Sequence, residues 1–130
     1  MASNGSVSQL YDSFLADHDT ARRAGIMESA YHALAAALHC AAELADEARV
    51  ERIKTLADRL RCSIDLNCPE HDLGTAAAMQ RGQVSLFASL AGQAEAITAR
   101  MRGSRAMTHG RGLRQSSVLE PRDGPRETRL

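Results

Sequence analysis

Val50, Ile53, Ala57, Leu60 and Ile64 recur at intervals of three and four, and Leu56 falls on the same stripe. That spacing returns an apolar side chain to one face of an α-helix at every turn, whereas a strand would scatter it over both faces. The residues between, Glu51, Arg52, Lys54, Thr55, Asp58, Arg59 and Arg61, are polar or charged. One dry face and one wet face make a helix that packs on a core. Asp46 stands where an N-cap acceptor is needed, and Glu47 follows where the helix dipole favours a negative charge. Glu51–Lys54 and Asp58–Arg61 are opposite charges three residues apart, each worth about 0.2–0.5 kcal/mol. The helix is expected to end before Asn67-Cys68-Pro69, because proline disfavours helix at the residue preceding it.

The same reasoning predicts three more helices. The first covers about 7–24. Ser6-Val7-Ser8-Gln9 fits a capping box, Leu10, Phe14, Asp17 and Ala21 share a face widened by Tyr11 and Leu15, and Arg22, Arg23 and Gly25 are stop signals. The second covers about 26–45. Met27, Tyr31, Leu34, Leu38, Ala41 and Ala45 form an apolar arc that Ala30, Ala33, Ala37 and Leu44 extend to about half the circumference. So wide an arc predicts a central helix, and its alanines permit close approach by neighbours. After a loop from Cys68 to Gly74, Thr75 is expected to cap a fourth helix reaching about residue 102. Met79, Leu86, Leu90, Ile97 and Met101 form its stripe, with Phe87 and Ala94 beside it. Gly82 and Gly92 would sit inside this helix, each costing about 1 kcal/mol against alanine.

Composition closes off the alternatives. Aromatic residues are 3% of the 130 and there is no Trp, which argues against a β-sandwich or barrel. No apolar run approaches the roughly 18 residues of a membrane span. The start, MASNGSVSQ, has no apolar stretch of the kind that forms a signal peptide. The expectation is therefore an all-α, cytoplasmic protein. Connections of about two to eight residues imply an antiparallel bundle of about four helices, or a short helical repeat. Nine basic and thirteen acidic residues precede Arg102, whereas seven Arg and three acids lie in 102–130. The zero net charge thus hides an acidic body and a basic tail. The tail is rich in Gly and Pro and lacks apolar period, so 103–130 is expected to be disordered. Residues 1–6 are expected to be a flexible N-terminus and 7–102 the helical domain.

Gly25-x4-Ala30-x6-Ala37-Leu38 resembles the second helix of a tetratricopeptide repeat, with Phe14 at the large-residue position of the first helix. Asp17 stands where that family has Leu, no Pro closes the repeat at Ala42, and no second copy follows at the period of about 34 residues. The resemblance implies a helical-hairpin scaffold that binds peptides or partner proteins.

No phosphate-binding loop, dinucleotide fingerprint, zinc-protease motif or nucleophile elbow is present. Two clusters have metal-ligand chemistry. Glu28, His32, His39 and Glu43 fall within roughly 60° of one another on the second helix, and carboxylate with imidazole suits a metal. Di-iron bundles space the pair at three and repeat it on other helices, whereas here the spacing is four and unrepeated. Cys62-x5-Cys68-x2-His71 offers thiolates and an imidazole to zinc, at spacings unlike those of zinc sites. Cys40, at the edge of the apolar arc, reads as a small core residue. Arg102, Arg105, Arg111, Arg114, Arg122, Arg126 and Arg129 could meet phosphates, but no aromatic in the tail could stack on a base.

The expected function is a small non-enzymatic interaction module that binds a protein partner or a second copy of itself. Met79, Phe87 and Leu90 of the fourth helix are the expected contact residues. No cofactor, nucleic acid or membrane is expected. A metal-binding bundle and a nucleic-acid-associated protein acting through its Arg tail are the alternatives.

Overall fold

A computed structural model describes the backbone of residues 3–117 and the side chains of residues 3–105. The described chain is all-α. Its helices are α1 (Asn4–Arg23), α2 (Met27–Glu43), α3 (Glu47–Asn67), α4 (Thr75–Gln80) and α5 (Leu86–Ser117). The chain divides into two units, Met1–Thr98 and Ala99–Leu130. The first holds α1 to α4 and the start of α5. In the second, the helical backbone continues to Ser117. The expected tail boundary at Gly103 thus falls inside α5, and the rest of the tail, 118–130, lies outside the described residues.

Two three-residue turns set the topology of the first unit. Ala24-Gly25-Ile26 reverses the chain between α1 and α2, and Leu44-Ala45-Asp46 reverses it again before α3. α2 is therefore antiparallel to both neighbours, and α1 and α3 run the same way. Side chains join those two at their N-terminal ends. The Tyr11 hydroxyl donates to the Arg49 carbonyl at 3.3 Å, Arg49 donates to Ser8 Oγ at 2.9 Å, and its guanidinium lies 5.2 Å from the Tyr11 ring centre. α2 is central, as its wide arc predicted. Ala30, Leu34, Ala37, Leu38, Cys40 and Ala41 are all buried.

α3 buries Val50, Ile53, Leu56, Ala57, Leu60 and Ile64, the predicted stripe without exception. Asp46 caps it, accepting from the Arg49 amide at 3.1 Å. Two of its ion pairs were not predicted. Lys54 meets Asp58 at 3.3 Å and Arg61 meets Asp65 at 3.8 Å, both four residues apart.

α1 starts earlier than predicted and is rotated. Ser3, not Ser6, is the N-cap, and its side chain accepts from the Ser6 amide at 3.2 Å. The buried residues are Val7, Tyr11, His18 and Ala21, while Leu10 and Asp17 are exposed and Phe14 is half-buried.

The predicted fourth helix is two. Gly82, at φ +71°, takes the left-handed conformation that ends α4. The Gly82 amide bonds Met79 O at 3.0 Å and the Gln83 amide bonds Ala78 O at 2.8 Å, which is the Schellman closure. Ser85 then caps α5, its hydroxyl accepting from the Ala88 amide at 3.0 Å. The N-cap of α4 is Gly74, not Thr75. Asp65 of α3 supplies the capping carboxylate from outside the helix. It accepts from the Thr75 amide at 2.9 Å and the Thr75 hydroxyl at 2.6 Å.

Leu34, Ile53, Val50, Phe87 and Leu90 are the largest fully buried side chains. Phe87 meets Tyr31 edge-to-face, ring centres 5.8 Å apart, tying the start of α5 to α2. Ala30, Ala37, Ala41, Ala57, Ala78 and Ala94 are also fully buried. Small side chains at these positions let helix backbones approach closely, so a core with few aromatics still closes.

Candidate functional site

The break before α5 redistributes the predicted contact residues. Phe87 and Leu90 are 0% and 1% exposed, so they are core residues, not contact residues. Restarting the helix at Leu86 shifts its phase, and Phe87, Leu90, Ala91, Ala94 and Thr98 become the inward stripe. Met79, stranded on α4, is 70% exposed, and so is Val84 in the connection that follows.

These two side chains stand at a groove of about 500 Å³ between α3, α4 and the start of α5. Ala88, Ala91 and Gly92 supply small residues on the α5 side. A Cβ placed on Gly92 would meet nothing within 4 Å, so the space above it is open. Lys54, Asp58 and Arg61 line the α3 side and Glu95 the α5 side. The α3 wall carries one more positive charge than negative, and the facing wall carries a negative one.

Neither predicted metal cluster is assembled. Glu28, His32, His39 and Glu43 are all exposed on α2. Cys62 and Cys68 are exposed free thiols. His71 is tied into its loop, where Nδ1 accepts from the Leu73 amide at 3.0 Å. Among the described residues no group of three or more His, Cys, Asp or Glu could hold a metal ion. Cys40 is buried, and burial, with Glu43 nearby, pushes its thiol pKa up, as suits a packing residue. Of the tail arginines, Arg102 and Arg105 are exposed, and the side chains of Arg111, Arg114, Arg122, Arg126 and Arg129 lie outside the described residues. No described helix is long and apolar enough to cross a membrane.

A polar residue that periodicity missed is buried on α1. His18 is 4% exposed. Its Nδ1 lies 3.4 Å from the Leu15 carbonyl, which only accepts, so the proton sits on Nδ1. Nε2 is buried and has no hydrogen-bond partner. Burial holds the imidazole pKa below its ordinary value, outweighing the Leu15 bond and Asp19, which favour the charged form; Arg22 and Arg52 add to the lowering. Compared with protein-family models, curated proteins and solved structures, the chain matches none.

Proposed function

We propose that this chain is a protein-interaction module that self-associates through the groove between α3, α4 and α5. The observation that supports the reading is the juxtaposition on one face of two exposed apolar side chains, Met79 and Val84, with a floor of Ala88, Ala91 and Gly92. Projection and recess lie side by side. A two-fold axis through this face sets the projection of each copy against the recess of the other, as an isologous interface requires. The same axis brings the Lys54 and Arg61 wall of one copy toward Glu95 of the other. Small residues at the recess permit close backbone approach, and the charges at the rim fix register more than they add affinity. The free thiols Cys40, Cys62 and Cys68 fit a reducing, cytoplasmic setting.

Sedimentation and native mass spectrometry of the full chain, from micromolar to millimolar concentration, test this. The expected result is a reversible dimer that Met79→Glu and Gly92→Gln both convert to monomer with unchanged helical circular dichroism. Gly92→Gln fills the recess without disturbing the fold, since its Cβ enters open space. A wild-type monomer throughout that range, or a dimer indifferent to both substitutions, overturns the reading.

A further inference from the structure

α3 has a second working flank. Arg52, Leu56, Arg59 and Ser63 lie roughly opposite Lys54, Asp58 and Arg61 around the helix and face a separate cleft of about 490 Å³. α1 supplies its other wall through His18, Asp19 and Arg22, and Met27 at the start of α2 contributes as well.

The charges in this cleft are unbalanced. Three guanidiniums, Arg22, Arg52 and Arg59, face one carboxylate, Asp19. That carboxylate is already held by Arg22 at 2.6 Å and Arg23 at 2.8 Å. On α3, Arg49 pairs with Asp46, Lys54 with Asp58 and Arg61 with Asp65, whereas Arg52 and Arg59 line the cleft. α2 begins here without a side-chain cap. Its first intrahelical bond is made by the Ala30 amide, to Ile26 O at 3.1 Å. The preceding amides and the positive end of the helix dipole favour an anion at this end.

His18 makes this more than a basic patch. A buried imidazole nitrogen with no partner is a stability cost, and native folds seldom carry one without a reason. Neutral, Nε2 offers only a lone pair; on protonation it becomes a donor, with Nδ1 still bonded to Leu15 O. An anion in the cleft supplies both the acceptor and the charge that favour that proton. The groups around the imidazole are Asp19 and Arg22 on α1 and Arg52 on α3. Leu56, Leu60 and Met27 give the cleft an apolar side as well, which a hydrated inorganic ion would leave unused.

We propose that the cleft between α1 and α3 binds a small organic anion, a carboxylate or phosphate ester with an apolar body, held by Arg22, Arg52 and Arg59 and by Nε2 of His18. Binding takes up a proton on His18, so affinity rises as pH falls toward the ordinary histidine range. The site is independent of the Met79 groove and of self-association.

Titration calorimetry of the full chain with hexanoate and phenyl phosphate tests it, with hexanol and inorganic phosphate as probes of each half alone. At least one organic anion is expected to bind saturably, and at least tenfold more tightly than either control. Arg52→Gln and Arg59→Gln, both at exposed positions, are expected to weaken it at least tenfold with unchanged thermal stability. Histidine NMR is expected to show the His18 pKa rising on binding. No saturable binding of either organic anion, binding indifferent to both arginine substitutions, or a His18 signal that does not move overturns the proposal. Inorganic phosphate binding as tightly as phenyl phosphate overturns the apolar half of the ligand.

Discussion

Three helices of this protein end the same way, and one of them does so with the wrong residue. At the end of α1 the Gly25 amide bonds Arg22 O at 3.1 Å and the Ile26 amide bonds Ala21 O at 2.9 Å. At the end of α4, Gly82 and Gln83 repeat the pattern, and at the end of α2 Ala45 bonds Ala42 O at 3.0 Å while Asp46 bonds Ala41 O at 3.1 Å. The pivot residue has φ +77° at Gly25, +71° at Gly82 and +51° at Ala45. A left-handed conformation costs an L-residue about 1–2 kcal/mol. Glycine avoids that cost but loses about 0.5–1 kcal/mol more than alanine in backbone entropy on folding. The difference predicts that Ala45→Gly stabilises the protein by about 0.5–1 kcal/mol, since Ala45 is exposed and its methyl contributes little packing. Gly25→Ala and Gly82→Ala are predicted to destabilise by a similar amount. A Cβ at either would meet nothing within 4 Å, so conformation alone sets the sign. Urea unfolding followed by far-ultraviolet circular dichroism measures all three. For a unit of this size 1 kcal/mol moves Tm by roughly 4–8 °C, so the effects are resolvable. A destabilised Ala45→Gly, or a stabilised Gly25→Ala, would refute the reasoning.

Phe87→Ala is expected to cost about 3–5 kcal/mol, because the ring is fully buried against Tyr31; a loss under 1 kcal/mol in urea unfolding would show that α5 does not close the core. Asp65→Asn is expected to cost about 1–2 kcal/mol by weakening the cap on α4. The Thr75 bonds hold the Asp65 carboxyl below its ordinary 3.8, so its contribution is complete above that pH and fades as pH falls through the lower folded value; a variant that keeps the wild-type acid loss would contradict this. For His18 the sign is opposite in origin. Its folded pKa lies below 6.5, so the unfolded chain binds more protons in that window and stability falls as pH drops below 6.5. His18→Leu is expected to remove that fall and to raise stability above pH 6.5 by about 1 kcal/mol, by deleting an unpartnered buried nitrogen. Unfolding curves that keep the same pH dependence in the variant would assign it elsewhere.

How far the fold was legible in the sequence depended on whether polar and apolar residues sorted cleanly. On α3 they did, and every predicted core position is buried. On α1 two adjacent stripes competed: Leu10 and Phe14 on one, Val7 and Tyr11 on the other. Periodicity placed Leu10, Phe14, Asp17 and Ala21 on the inner face with Tyr11 at its edge, whereas the structure buries Val7, Tyr11, His18 and Ala21. The start of α1 was ambiguous for a simpler reason, since Ser3 and Ser6 both satisfy a cap. The split between α4 and α5 was signalled by Gly82 followed three residues later by Ser85, a helix stop and then a helix start. Treating Gly82 as a tolerated interior residue hid it. The five residues outside a helix, 81–85, put Met79 on a different element from Phe87 and Leu90, so the three expected contact residues do not share a face: Met79 is exposed while the other two are core.

The candidate sites were less legible than the fold, and the topology explains the difference. The predicted clusters each lie on a single segment, Glu28 to Glu43 on one helix and Cys62 to His71 from the end of a helix into the loop that follows. Segments read in isolation reveal what a helix shows to solvent, and both clusters are largely exposed. The cleft residues instead come from three helices. His18 and Arg22 are separated from Arg52 and Arg59 by two chain reversals, and no sequence spacing relates them. They share a cleft because two short turns bring α3 back alongside α1 in the same direction. That arrangement gives α3 its two flanks. One flank spends its cations on Asp58 and Asp65, and beside it lies an apolar groove. The other leaves two arginines facing a buried imidazole. A helix read alone assigns Arg52, Lys54, Arg59 and Arg61 to one solvated face; only its neighbours distinguish those that neutralise carboxylates from those placed to receive an anion.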